Sequence, residues 1–236
     1  MFRSELEKAM AAMGLELSEK QVDQFCIFHD RLIETNKVMN LTALTEPKDV
    51  AIKHMADSLS CYAAAYFPEN ARVLDLGTGA GFPGLPLLIY RPDLQVTFFD
   101  SLQKRLTFLE KLVTELGLPA SFLHGRAEEM AHQQDYRQAF DVVTSRAVAR
   151  LNVLLEWALP YVKTGGWFIS LKGAQYQEEL KEAENALKIL GGRVGEVRPV
   201  QLPGLDDVRA VLYIEKVSGS PKKYPRKPKM AARNPL

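Results

Sequence analysis

Cysteine is scarce in this sequence: the 236 residues contain two, Cys26 and Cys61. They stand far apart, with no C-x-x-C pair and no histidine cluster, which excludes a disulfide framework and a zinc site and points to a reducing compartment. No apolar run approaches the ~18–20 residues that a membrane-spanning helix needs, and the opening "MFRSELEKAM" carries acidic residues where a signal peptide would be apolar. Internal repeats and low-complexity tracts are lacking too. The last absence is local: no acidic residue occurs from Lys216 to Leu236, although seven of the 30 basic residues fall there. The preceding residues therefore carry 23 basic groups against all 29 acidic ones. A mildly acidic body with a basic, proline-containing tail suits a polyanionic partner, the plainer alternative being a solvated terminus.

What is present is a globular composition, 47% hydrophobic and 25% charged, in a chain long enough for one sizeable α/β domain with a small extension. The first 70 residues read as helices. Ser4-x-x-Glu7 and Ser18-x-x-Gln21 have capping-box spacing ahead of apolar periodicity, His29 sits on an apolar stripe as a core residue, and Pro47 opens a third helix through about Tyr66. From Arg72 the texture changes to strands alternating with helices. "ARVLDLG", "LQVTFFD", "ASFLHG", "FDVVTS" and "GGWFISLKG" are strand segments. Helices are expected at Ala127–Gln133, Leu151–Val162 and Glu178–Leu190, and between Leu102 and Leu116. "GRVGEVRPVQL" and "VRAVLYIEKV" follow without a helix between them, so they pair antiparallel. The expectation is a seven-stranded, mostly parallel sheet ending in an antiparallel hairpin, with ligands at the carboxyl ends of the strands. Domain boundaries fall at 1–70 (helical cap), 71–217 (Rossmann-like domain) and 218–236 (basic tail).

The stretch "VLDLGTGAGFPG" places a glycine-rich turn between the first strand and its helix. Gly79, Gly81 and Gly84 fit the dinucleotide fingerprint, whereas Gly77, Gly79 and Gly81 fit a tighter G-x-G-x-G. Asp100, ending the second strand, suits ribose hydroxyls in either case. Three features favour S-adenosylmethionine over a nicotinamide dinucleotide. Asp75 lies two residues before the first glycine, facing the cationic end of the cofactor. Pro83 and Pro86 shorten the helix start that a pyrophosphate would use. Glu128, in "GRAEEM" after the third strand, is placed to read an adenine amine. A ring of carboxylates fits a sulfonium and repels a pyrophosphate.

The segment after the fourth strand, "TSRAVA", narrows the acceptor. It has no Asn/Asp-Pro-Pro-aromatic grip for an exocyclic amine, no cysteine nucleophile, and no aspartate of a tetrad that activates a ribose hydroxyl. An acceptor with a free lone pair at neutral pH, such as guanine N7, needs only alignment. Arg146 is the candidate catalytic residue, bonding the guanine edge or a phosphate; a salt bridge at the sheet edge is an equal reading. Lys172 follows the fifth strand, and Lys222, Lys223, Arg226 and Lys227 in the tail complete the candidate RNA contacts, the tail's prolines keeping it extended.

"NKVMNLTAL", "HMADSL", "DLGTGAGFPGLPL", "DSLQKR", "SRAVARL", "LKG" and "YPRKP…NPL" occur in fixed order. Together they resemble the glucose-inhibited division protein B family, known as RsmG, over nearly the whole chain from about Asn36. The resemblance implies a class I, Rossmann-like S-adenosylmethionine-dependent methyltransferase with an N-terminal helical cap, acting on guanine N7 of 16S ribosomal RNA; the cytoplasm is the setting expected from the cysteine usage, and a monomer the expected state. It also implies cofactor contacts at Gly77, Phe82, Ala127, Glu128 and Arg146. His54 and Asp57 match a family motif too; their expected role is a hydrogen bond locking their helix to the sheet. The alternative is a methyltransferase acting on another RNA site, a protein or a small molecule.

Overall fold

The computed structural model describes residues 1–236. Two helices open the chain, α1 (Phe2–Ala12) and α2 (Glu19–Met39). The second starts as its spacing predicts: Ser18 N donates to Gln21 Oε1 at 2.8 Å and Gln21 N donates to Ser18 Oγ at 3.3 Å. The Ser4 spacing makes no cap, because α1 begins earlier and leaves Ser4 inside its first turn. The Gln21 amide also reaches the Ile89 and Tyr90 carbonyls, 3.0 Å each, at the end of a helix 68 residues away. A local capping residue thus fastens the cap to the body.

The helix that begins at Pro47 differs from its expected course. It runs as α3 (Pro47–Val50), a π-helical stretch (Ala51–Ala56) and α4 (Asp57–Leu59), and stops well short of Tyr66. Only a 3₁₀ turn at Ala64–Tyr66 follows. π-Helical stretches are short and concentrate at functional sites, and this one contains His54 and ends against Asp57.

Seven strands form one sheet: β1 (Arg72–Leu76), β2 (Gln95–Asp100), β3 (Ser121–His124), β4 (Phe140–Arg146), β5 (Val162–Lys172), β6 (Gly192–Val200) and β7 (Arg209–Lys216), in the order β3-β2-β1-β4-β5-β7-β6. All pairings are parallel except those of β7, which is antiparallel to both β5 and β6. The order reverses between β1 and β4, which opens a crevice at their carboxyl ends. Between and after the strands lie α5 (Gly84–Tyr90), α6 (Gln103–Glu115), α7 (Ala127–Met130), α8 (Leu151–Ala158), α9 (Tyr176–Glu182), α10 (Glu184–Leu190) and α11 (Met230–Arg233). The helix expected over Glu178–Leu190 is two, parted at Ala183, and the one expected to reach Val162 ends at Ala158 because β5 has begun.

Adjacent strand residues enter opposite layers, as the pleat requires. Val73, Phe98 and Val142 join α2, α5 and α6 in one apolar cluster. Leu74, Phe99 and Val143 join α8 and α10 in the other. Phe2, Leu6, Phe25 and Phe28 of the cap belong to the first cluster, so residue 70 marks a change of texture and not the edge of a separate core.

The basic tail is docked rather than extended. Tyr224 is buried in the second cluster. Arg137 donates to the carbonyls of Ser220, Pro221 and Tyr224, and His132 Nε2 donates to the Pro225 carbonyl at 2.8 Å. Lys216, pushed down to about 7 by burial, donates to the Leu190 carbonyl and to Ser220. The expected RNA role of Arg226 meets a physical obstacle: its guanidinium grips the fully buried Glu156 carboxylate, at 2.6 Å from Nη2 and 2.9 Å from Nε, and its backbone N–H adds a third bond. Lys222, Lys223 and Lys227 remain exposed.

Arg226→Ala leaves the Glu156 carboxylate buried without a counter-charge, keeping only the backbone N–H bond at that position, which costs about 3–5 kcal/mol. A thermal melt should drop markedly, and deletion after Val217 should drop it at least as far; a truncated chain melting like the full one would show that the tail carries no stability.

Candidate active site

The turn after β1 is shaped by three positive-φ glycines. Gly77 (φ 71°) must lack a side chain, since a Cβ there would stand 2.6 Å from Val148 Cγ2. Gly79 turns its N–H onto Asp100 Oδ2 at 3.0 Å. Gly81 packs towards α6, where a Cβ would meet Leu109 at 2.8 Å. Asp100, nearly buried, also accepts from Leu102 N (2.9 Å) and Arg105 Nη1 (3.2 Å). One carboxylate therefore ties the turn, the end of β2 and the start of α6.

Beside this turn is a cavity of about 140 Å³ lined by Gly77, Asp100, Ala127, Glu128, Val148 and Trp157, among others. Four of the expected cofactor residues meet here: Gly77, Asp100, Ala127 and Glu128. Asp75 does not line it. Its carboxylate lies beneath the turn, accepting from Thr78 Oγ1 (2.5 Å), Gly84 N (3.0 Å) and Thr144 Oγ1 (3.3 Å). Burial pushes it up to about 6 against those bonds. The role expected for Asp75, facing a cationic ligand, is replaced by holding the turn from below. Phe82 also lies off the cavity, with Phe28 and His54 stacked on its ring.

The cavity's polar atoms suit an adenosine-bearing ligand. Glu128 Oε1 is buried without a hydrogen-bond partner, its nearest cation being Arg126 Nη2 at 3.6 Å. Such orphans are rare in native structures and call for an explanation. A carboxylate that lacks a donor matches an amine, and Asp100 at the end of β2 stands where ribose hydroxyls are held in folds of this type.

A second, larger cleft of about 600 Å³ adjoins the first, with Val148 in the wall of both. It gathers Lys53, His54, Asp57, Arg146, Arg150, Lys172, Glu179 and Arg209. Arg146 Nη1 donates to Asp57 Oδ2 (2.8 Å) and the Lys53 carbonyl (3.1 Å), Nη2 donates to His54 Nδ1 (3.2 Å), and the guanidinium lies 4.8 Å from the Phe82 ring centre. His54 Nδ1 accepts, so Nε2 carries the proton and donates to Thr42 Oγ1 at 2.7 Å. Burial and the adjacent Arg146 push this imidazole down to about 4. The Arg209 guanidinium reaches Asp57 Oδ1 at 3.2 Å. Lys172, lowered by burial, pairs with Glu179 at 2.7 Å.

His54 and Asp57 thus lock the π-helical segment to the sheet, as expected, but they do so through Arg146. Val148 lies in the quoted "TSRAVA" and Arg126 in "GRAEEM", so both were within reach of the motif reading. Arg209 and Trp157 had no local signal: β7 and α8 bring them in through tertiary packing.

Asp100→Ala should weaken binding of S-adenosylhomocysteine by about 1.5–3 kcal/mol, the worth of hydrogen bonds to a charged acceptor. Calorimetry checks this, and unchanged affinity would remove Asp100 from the site.

The comparisons with known proteins agree with this geometry. The family model of GidB, described as rRNA small subunit methyltransferase G, matches residues 21–203. A ribosomal RNA small subunit methyltransferase G from Alkaliphilus metalliredigens is 45% identical over 232 residues, covering 98% of this chain and 97% of its own. The protein of that name from Exiguobacterium sibiricum is 46% identical over 237 residues, with both chains covered in full. Among solved structures, TrmN from Thermus thermophilus aligns with a TM-score of 0.53 at 23% identity, over 69% of this chain and 48% of its own. TYW2 from M. jannaschii, in complex with AdoMet, aligns with a TM-score of 0.53 at 15% identity, over 69% of this chain and 76% of its own; both likenesses are of fold. By the reach of the family model and the near full-length identity of its relatives, the chain belongs to the rRNA small subunit methyltransferase G (GidB) family and is an S-adenosylmethionine-dependent methyltransferase.

Proposed function

We propose that this enzyme methylates the N7 of a guanine in small-subunit (16S) ribosomal RNA in the cytoplasm, by in-line transfer without a general base. The observation that carries the reading is the state of the larger cleft: every group in it able to take a proton is already engaged. Asp57 accepts from two guanidiniums. Glu179 accepts from Lys172 and from Leu151 N at 2.8 Å. Both nitrogens of His54 are occupied. An acceptor entering this cleft must bring its own lone pair, and guanine N7 does so at neutral pH.

The relatives' name supplies the substrate class, and the cleft's chemistry suits it. Lys53, Arg146, Arg150, Lys172 and Arg209 line it against two carboxylates, Asp57 and Glu179. Most of these cations are held by acidic partners, Lys53 by Asp49 and Arg150 by Glu182 among them, which fixes their positions before a phosphate arrives. Cations of this kind contribute sequence-independent affinity for the RNA backbone; Lys222, Lys223 and Lys227 are further exposed cations, carried on the docked tail.

S-Adenosylmethionine, when bound, supplies a methyl group on a sulfonium. Gly77, Asp100, Ala127 and Glu128 would hold it. Arg146, fixed on Phe82 by Asp57 and His54, presents its guanidinium to the guanine edge at O6 or to a flanking phosphate. Catalysis by this chain is then orientation of two ligands across the wall at Val148.

Transfer of labelled methyl to small-subunit ribosomal RNA, followed by nucleoside analysis, should yield 7-methylguanosine; another modified nucleoside would overturn the acceptor assignment. With Asp75 at about 6 and His54 at about 4, both lie in one protonation state above neutrality. Single-turnover rates should therefore be flat from about pH 7 to 9. A log-linear rise across that range would reveal base activation and a hydroxyl or amine acceptor.

A further inference from the structure

Two residues that line the smaller cavity each carry a buried polar atom without a hydrogen-bond partner, and the two atoms are of opposite sense. Glu128 Oε1 is an acceptor; Trp157 Nε1 is a donor. Both residues line the same cavity, Glu128 from α7 and Trp157 from the last turn of α8. Two other polar groups in this wall are satisfied: Asp100 has three donors, and the Ala127 carbonyl accepts from Tyr161 at 2.7 Å. An unpaired buried indole N–H is unusual, since the group generally finds a partner when enclosed. Its free energy cost persists until a ligand supplies an acceptor.

We infer that Trp157 is a specificity-determining residue of the cofactor site, its indole N–H and the Glu128 carboxylate together reading one edge of the adenine ring. An acceptor and a donor contributed to one cavity are the complement of adenine, which presents an amine next to a ring-nitrogen acceptor. A 6-oxo purine offers a carbonyl where adenine has its amine and would set oxygen against the Glu128 carboxylate. The pair therefore selects adenosyl ligands over their deaminated counterparts by leaving one of its own groups unpaired, the means by which polar sites discriminate best. The carboxylate alone would accept from any amine; the indole adds the second point that fixes the ring's orientation.

The inference rests on the smaller cavity being the cofactor site, and the test separates the two. Calorimetry on the full chain uses S-adenosylhomocysteine, its inosyl analogue, and its 1-deaza and 7-deaza analogues. The wild-type protein should prefer the adenosyl over the inosyl ligand by more than tenfold. Trp157→Phe keeps an aromatic ring in α8 and removes the donor; it should weaken S-adenosylhomocysteine by about fivefold to tenfold, the worth of one hydrogen bond. With one of the two deaza analogues that loss should disappear, because the ligand lacks the nitrogen that the indole met. Equal loss with every ligand, or no loss, overturns the inference. Asp100→Ala is the control: if it binds normally, the site itself is misplaced, whatever Trp157 does. Should Trp157→Phe fail to fold, the Trp167→Phe protein answers instead, since Trp157 is then its only indole. Its emission should change on addition of S-adenosylhomocysteine, and unchanged emission again overturns the inference.

Discussion

Asp57 faces two guanidiniums at once. Arg146, at the end of β4, and Arg209, at the start of β7, reach its two oxygens from different strands. Without the carboxylate, those cations would confront each other uncompensated in a partly buried cleft, where like charges are screened far less than in bulk water. The interaction does more than neutralise. It pulls the segment that begins at Pro47 onto the carboxyl ends of the strands, places His54 flat on Phe82, and leaves Arg146 one arrangement in which all its neighbours are satisfied. The cleft's shape is a consequence of that charge triplet, and the apolar packing of the helical cap beneath it keeps the triplet in register.

The glycine turn shows a second use of a buried carboxylate. Asp75 is enclosed completely, yet it accepts from the turn, from the first residue of α5 and from β4. A Cβ at Gly84 would come within 2.6 Å of its oxygen, so the aspartate and the glycine determine each other. Reading the sequence, a carboxylate two residues before a glycine-rich turn looks like a ligand contact. Its spacing is equally that of a brace, and only the direction of the side chain, which the pleat of β1 sets, distinguishes the two.

Elements with strong periodicity or local chemistry were legible from the sequence. The Ser18 cap, the α6 stripe, the five alternating strands and the terminal hairpin all follow from capping spacing, apolar period and the lack of an intervening helix. The π-helical stretch was not, because its extra residue per turn has no compositional mark; the break at Ala183 was not, because alanine favours helix continuation. In the site, residues delivered by the βα turns were legible, since the turn motifs carry them. Those delivered by α8 and β7 were hidden, because their sequence neighbours describe only a buried helix and strand. The tail was misjudged for a related reason. Charge and proline content describe a segment's solvation, whereas Glu156, an acid inside an otherwise apolar helix face, was the mark of a partner waiting elsewhere in the chain.

That partner arrives late. The chain is made from its amino end, and Glu156 is enclosed by α8 some 70 residues before Arg226 exists. During synthesis the body must therefore hold an unmatched carboxylate, or keep α8 loosely packed and exposed, until the tail has left the ribosomal tunnel. Tight packing of α8 is for that reason coupled to docking of the tail: two segments about 70 residues apart in sequence settle together, each supplying the charge that the other lacks.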